Sequence, residues 1–207
     1  MDRRERLARA RLYVVTPGRD DLDPFLDEIL GAGADVVQLR DKQAEAGDLL
    51  RSSEIFRRTA DRHDALFIVN DLPDVALAAG ADGVHLGQND VPADAARTIL
   101  GPEAIIGLSC HTPDDHASAP RHVDYLTAGP VFETPTKPGR PGVGLELVRS
   151  ASEHVTRPWF AIGGINRSNI EVVVAAGARR IVVVRAVTQA ADPGSAVREL
   201  LAALPPV

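Results

Sequence analysis

The chain of 207 residues has almost no sulfur chemistry. Its single cysteine, Cys110, excludes an intrachain disulfide and removes any need for an oxidising compartment. No apolar run approaches the ~20 residues that a membrane-spanning helix takes. The N-terminal stretch MDRRERLARARLYVV starts charged and lacks the long apolar segment and cleavage site of a secretory signal. It reads as a short helix or lead-in to a first strand, and the expected location is cytoplasmic. Positive charge is in deficit: 23 basic against 29 acidic residues give a formal net charge of -6. That balance argues against nucleic acid or an anionic membrane as main partner, because both need a basic surface. Any cationic site is therefore local and suited to a small anionic ligand. Two fingerprints are missing as well. Val15-Thr16-Pro17-Gly18 is not the G-x-G-x-x-G of a dinucleotide-binding sheet, and no G-x-S-x-G elbow surrounds Ser109.

What is present is a repeat. Ala32-Gly33-Ala34-Asp35, Ala79-Gly80-Ala81-Asp82 and Ala176-Gly177-Ala178-Arg179 each precede an apolar run. Each reads as a helix end, a glycine cap and a buried strand. Around them lie eight strand candidates: Leu12–Thr16, Asp35–Leu39, Ala65–Asn70, Gly83–Leu86, Ala104–Leu108, Val123–Ala128, Trp159–Ile162 and Arg180–Val184. Amphipathic stretches such as Leu22–Leu30, Leu49–His63 and Ile170–Ala176 fall between them. Eight strands alternating with helices imply a parallel sheet with right-handed crossovers, closed as a (β/α)8 TIM barrel over 1–207. An open doubly wound sheet is the alternative. Residues 1–11 form the lead-in, and 129–145, rich in Pro, Gly and Thr, reads as a mobile loop over the site after strand six. A composition 44% hydrophobic and 25% charged suits one domain of this kind.

In such barrels the chemistry sits at the C-terminal ends of the strands. Those ends carry Gln38, Arg40 and Lys42, which share one face if the second strand runs on. Asn70-Asp71, His85, Gln88, Asp90, Ser109, Thr134, Thr136, Lys137, Gly163-Gly164 and Val184-Arg185 follow. An amide with two cations can be a solvated strand end or a clamp for a polyanion. Taken alone, Asp71 and Asp90 read first as helix caps; the adjacent cations favour Mg²⁺, which takes one or two carboxylates plus phosphate oxygens. His85 reads as a hydrogen-bonded core residue. Ser109 fits a phosphate-binding hydroxyl better than a nucleophile, and Cys110 a small buried apolar side chain. Gly163-Gly164 allows close backbone approach to a ligand, alongside a tight turn.

The motifs VVQLRDK, VNDLPDVALAAGADGVHLGQNDVP, IIGLS, YLTAGPVFETPTKPG, FAIGGIN and AGARRIVVVRAV, in this order, resemble thiamine-phosphate synthases from about Leu12 to Ala190. The resemblance implies a barrel enzyme that joins a hydroxymethylpyrimidine diphosphate to a thiazole phosphate, with pyrophosphate released. It implies that Gln38 meets the pyrimidine and that Arg40, Lys42, Asn70, Ser109 and Lys137 hold its diphosphate, with Arg40, Lys42, Lys137 and Ser109 taking part in catalysis. Asp71 and Asp90 would hold Mg²⁺; Thr134, Thr136, Gly164, Val184 and Arg185 would hold the thiazole phosphate. Arg185 stands where that family usually carries a small hydroxyl residue. Alternatives are a thiazole tautomerase of the same barrel family and a non-catalytic sensor of a thiazole or pyrimidine phosphate. The tautomerases carry a His before the VFET-like stretch, where this chain has Pro130. Partners are expected to be small phosphorylated molecules, not nucleic acid or membrane, and a homodimer is left open.

Overall fold

The computed structural model describes residues 2–134 and 142–207. Eight parallel strands close on themselves in sequence order. They are β1 (Leu12–Thr16), β2 (Val36–Leu39), β3 (Leu66–Asn70), β4 (Gly83–Leu86), β5 (Ile105–Cys110), β6 (Tyr125–Ala128), β7 (Trp159–Ile162) and β8 (Ile181–Val183). Closure comes from β1 pairing with β8, Leu12 opposite Ile181 and Val14 opposite Val183. The expected barrel is present, with small shifts at the ends. β5 runs on through Ser109 to Cys110, β6 starts at Tyr125, and β2 stops at Leu39, so Lys42 lies in the following loop.

The helices are α1 (Arg3–Arg9), α2 (Leu22–Gly31), α3 (Ala46–Arg62), α4 (Pro73–Ala78), α5 (Ala93–Leu100), α6 (Pro113–Ser118), α7 (Gly144–His154), α8 (Ile170–Ala175), α9 (Arg185–Thr188) and α10 (Pro193–Ala203). In α3 the buried side chains Leu49, Ser53, Phe56 and Ala60 recur at helical spacing, which lays one face against the sheet. The Ala-Gly-Ala repeats end α2, α4 and α8 in one way. Gly33, Gly80 and Gly177 take positive φ (109°, 59° and 106°), and the amide after each reaches back to close the last turn: Ala34 to Ile29, Ala81 to Ala76 and Ala178 to Val173. Only glycine enters that conformation without a Cβ penalty. Among the described residues, no helix is long and apolar enough to cross a membrane.

The apolar interior divides in two. One cluster packs the helices against the outside of the sheet, with Phe25, Leu26, Phe56, Phe67 and Val148 among its members. The other fills the barrel itself. Inward positions alternate along β1, β2 and β3 (Tyr13 and Val15, Val36 and Gln38, Leu66 and Ile68), and Ile105, Tyr125, Phe160 and Val182 join them from β5 to β8. Tyr13, Tyr125 and Phe160 meet edge to face on the axis, with ring centroids 5.6–6.0 Å apart. Gly107 leaves the space for one of them, since a Cβ there would lie 2.1 Å from the Tyr125 ring.

The lead-in proves to be a plug. α1 opens with a capping box between Asp2 and Glu5 and sets Leu7, 2% exposed, into the inner cluster. It is held by charge. Asp82 receives Arg3 at 2.9 Å, Arg6 at 3.4 Å and Arg57 of α3 at 2.8 Å. Asp124 receives Arg4 and Arg97, each at 2.8 Å. These carboxylates also serve the sheet. Asp35, Asp82 and Asp124 stand just before β2, β4 and β6, and each accepts amide hydrogens at the start of the preceding strand. The donors are Arg11 and Leu12, then Phe67, then Ile106, at 2.8–2.9 Å. Arg180 occupies the corresponding place before β8, and its guanidinium donates to the Ala8 carbonyl at 2.8 Å.

Asp82 is 2% exposed. Its removal takes an acceptor from Arg3, Arg6, Arg57 and the Phe67 amide together. Asp82→Ala should lower unfolding free energy by about 3–5 kcal/mol in urea titrations, the scale for breaking one side of a buried ion pair. A shift below ~1 kcal/mol would mean that the cluster is solvated.

Candidate active site

Two adjoining cavities open at the C-terminal ends of the strands. The first, about 430 Å³, is lined by Gln38, Arg40 and Lys42 on one side and by Asn70, Asp71 and Asp90 on the other. The second, about 300 Å³, is lined by Gly129, Pro130, Thr134, Gly163, Gly164 and the chain from Val182 to Ala186. Ser109, His111, Thr127, Ile162, Val182 and Val184 border both. The sequence-predicted residues thus come together, except Thr136 and Lys137, which lie outside the described residues.

Arg40 leaves β2 with its amide still bonded to the Thr16 carbonyl at 3.0 Å, which keeps its side chain in the inward register of Gln38. Lys42 reaches back from the loop and places Nζ 3.0 Å from Asp71 Oδ2. Asp71 takes positive φ, 63°, where the chain turns off β3, while its amide donates to the His85 carbonyl at 2.8 Å. Such a conformation is tolerated by Asp better than by most residues. Asp90 sits in a tight turn and accepts the Gly87 amide at 2.7 Å.

Neither carboxylate caps a helix. α4 begins after Leu72 and α5 after Pro92, both without a side-chain cap. Instead the two approach each other. Burial, reinforced by the hydrogen bond and charge of Asp71, pushes the Asp90 carboxyl above the usual carboxylate range, although the Gly87 amide and Lys42 pull the other way. Two neighbouring carboxyl groups beside an ammonium form an oxygen-donor pair that a hard dication relieves. With Lys42 balancing part of the charge, the pair fits Mg²⁺ when phosphate oxygens complete the shell. No cluster of three or more His, Cys, Asp or Glu that could hold a metal occurs among the described residues.

His85 is buried and bonded as expected, yet it also borders the first cavity. Its Nδ1 lies 3.0 Å from the Tyr125 hydroxyl and its Nε2 2.9 Å from Ser109 Oγ. A serine beside a histidine invites a nucleophile. The group behind this imidazole is a tyrosine hydroxyl that burial keeps protonated, not a carboxylate able to stabilise an imidazolium. His111 is directed elsewhere, its Nδ1 2.5 Å from the Gly129 carbonyl. Cys110 is fully buried and its thiol is pushed up to about 12, chiefly by burial, so it stays an unreactive apolar filler.

Sequence reasoning missed Tyr13, Tyr125, Thr127 and His111. A signal did exist for two of them. Thr127 is a polar residue near the end of β6, and stepping back by two from it reaches Tyr125.

The sequence model of the family described as thiamine monophosphate synthase matches residues 12–187. The chain belongs to that family. The thiamine-phosphate synthase of Thermobifida fusca is 53% identical over 203 residues, spanning 95% of this chain and 93% of that protein. That of Acidothermus cellulolyticus is 50% identical over 204 residues, 96% of each. Among solved structures, a thiamine phosphate pyrophosphorylase from Pyrococcus furiosus superposes with a TM-score of 0.85 at 37% identity, covering 97% of this chain and 96% of that one.

In this synthase-family barrel the second cavity depends on two strained glycines. Gly163 (φ 107°) would drive a Cβ to 2.4 Å from Pro130 Cα, and Gly164 (φ 65°) to 2.8 Å from Phe132 Cβ. The Gly164 carbonyl is fixed by Asn166 and Asn169 side-chain amides at 3.1 and 2.9 Å. Gly80 also has positive φ, but a Cβ there meets nothing within 4 Å. Gly80→Ala should therefore lose only about 1 kcal/mol, the conformational part alone. Gly163→Ala should lose at least ~2 kcal/mol more, read from the two denaturation midpoints. Equal losses would show that Pro130 yields freely.

Proposed function

We propose that this chain joins 4-amino-2-methyl-5-hydroxymethylpyrimidine diphosphate to a hydroxyethylthiazole or carboxythiazole phosphate, giving thiamine phosphate and pyrophosphate, with the carboxyl group released as carbon dioxide when the carboxythiazole is the substrate. The observation that carries this reading is the pair of cavities with a common wall. One is lined by cations and carboxylates and the other by glycines, and the two meet at Ser109, Thr127 and Val184. A sensor needs one such chamber; a condensing enzyme needs two that touch.

The reaction makes a bond from the thiazole nitrogen to the pyrimidine methylene carbon and breaks that carbon's bond to the diphosphate oxygen. The nitrogen carries no proton, so no protein base is needed when the new bond forms. The difficulty is the leaving group. Electron release by the aminopyrimidine permits early departure of diphosphate, whose charge Arg40 and Lys42 meet directly, with Asn70 and Ser109 donating hydrogen bonds. Gln38 orients the pyrimidine, and Thr134, Thr136, Gly164, Val184 and Arg185 seat the thiazole phosphate. Asp71 and Asp90 hold Mg²⁺, which when bound neutralises charge on the departing diphosphate.

Mg²⁺ with pyrophosphate should raise the melting temperature of the protein by roughly 5–10 °C at a hundredfold excess over Kd, from linkage worth about 2.7 kcal/mol. Asp71→Asn and Asp90→Asn should each abolish most of that rise while remaining folded. A full rise in both variants would exclude a carboxylate-bound metal. Lys137 follows Thr136 in the sequence. Its ammonium is assigned to the leaving diphosphate, so Lys137→Ala should lower kcat and kcat/KM together by on the order of 10²-fold. An unchanged kcat in steady-state assays would remove Lys137 from the chemistry.

A further inference from the structure

Five buried side chains form one unbroken line across the floor of the site. Gln38 Nε2 lies 2.5 Å from Tyr13 Oη, which lies 3.1 Å from Tyr125 Oη. Tyr125 Oη lies 3.0 Å from His85 Nδ1, and His85 Nε2 lies 2.9 Å from Ser109 Oγ. None of the five is more than 7% exposed. The line joins the residue assigned to the pyrimidine with one assigned to the diphosphate.

Each hydroxyl has a single hydrogen, and a buried O–H needs an acceptor, so donation along such a line runs in one direction or the other. Gln38 turns its amide nitrogen to Tyr13, and that nitrogen can only donate. Tyr13 accepts and gives its hydrogen to Tyr125, and Tyr125 gives its own to His85 Nδ1. An accepting Nδ1 places the imidazole hydrogen on Nε2, which donates to Ser109 Oγ. The Ser109 hydrogen is then available to a ligand in the cavity that it lines. Burial holds both tyrosines in the O–H form that this scheme requires.

Resting on the functional reading above, we propose that Tyr13 and Tyr125 are positioning residues that lock the Gln38 amide, making the site select a 4-aminopyrimidine over its deaminated 4-oxo counterpart. The amino form presents an N–H donor beside a ring-nitrogen acceptor. Gln38 matches that edge with Oε1 and its second Nε2 hydrogen, as a carboxamide matches the edge of adenine. The 4-oxo form presents the reverse pattern and needs the amide turned over. Oε1 would then face Tyr13, which must donate to it. Tyr125, His85 and Ser109 must reverse in turn, and Ser109 loses its hydrogen to His85 instead of offering it to the diphosphate. The choice of pyrimidine is thus coupled to the grip on the leaving group.

The test measures kcat/KM for the amino- and oxo-pyrimidine diphosphates on wild type, Tyr13→Phe and Tyr125→Phe, together with the ¹⁵N shifts of His85 in the ligand-free protein. The expected result is a wild-type preference for the amino form that falls by about tenfold or more in each variant, because the freed amide can turn. The free wild-type protein should show a neutral His85 with its hydrogen on Nε2. An unchanged preference in variants that still turn over overturns the inference alone. A hydrogen on Nδ1 does so too, and needs no variant to fold. Absence of thiamine phosphate formation by wild type overturns the functional reading and the inference with it.

Discussion

A closed parallel barrel has to fill its own axis, and here that requirement is met by three aromatic rings on a floor between two different worlds. Below Tyr13, Tyr125 and Phe160 lie Leu66, Ile105 and the plug residue Leu7. Above them lie Gln38, His85 and Ser109. Phenylalanine alone would close the barrel. Tyrosine closes it and carries a polar atom to the upper surface, where its desolvation is offset by hydrogen bonds. The aromatic floor therefore sets both the depth of the site and the polarity of its base. Gly107 belongs to the same solution, since the Tyr125 ring occupies the space that a side chain there would take.

The base of the barrel follows a different logic. Parallel strands leave their first amides exposed at one end, and a carboxylate before each of three alternate strands accepts them. Two of those carboxylates, Asp82 and Asp124, then need cations, which α1, α3 and α5 supply. One set of acids thus fixes strand register, recruits the N-terminal helix and seals the core from water. The opposite end keeps its charges for ligands.

Much of this was legible in the sequence because period and punctuation act locally. The Ala-Gly-Ala breaks predict helix ends that the positive φ values at Gly33, Gly80 and Gly177 bear out. The eight strands fall where the apolar runs placed them, and strand-end polarity marks the rim of the cavities. The illegible part was what only closure brings together. Tyr13 and Tyr125 are 112 residues apart and meet only through the register of the barrel. Tyr13 sits in no motif, Tyr125 only opens one, and an aromatic residue on an apolar strand reads as packing. The aspartates before β2, β4 and β6 were similarly opaque, since each serves a neighbouring strand rather than its own. Residues 1–11 read as a lead-in because nothing local in RRERLAR says that Leu7 belongs inside the barrel.

The pairing of Leu12 with Ile181 and Val14 with Val183 has a consequence for biosynthesis. The first strand to leave the ribosome is completed by the last. For on the order of ten seconds or more, at ordinary elongation rates, β1 has one edge without its native neighbour. A nascent barrel in this interval is an open curled sheet, vulnerable to pairing with other chains. Stop codons or cleavage that remove β8 would leave most helix–strand contacts in place but no closed ring. Such fragments should be natural clients of chaperones rather than smaller working versions of the protein.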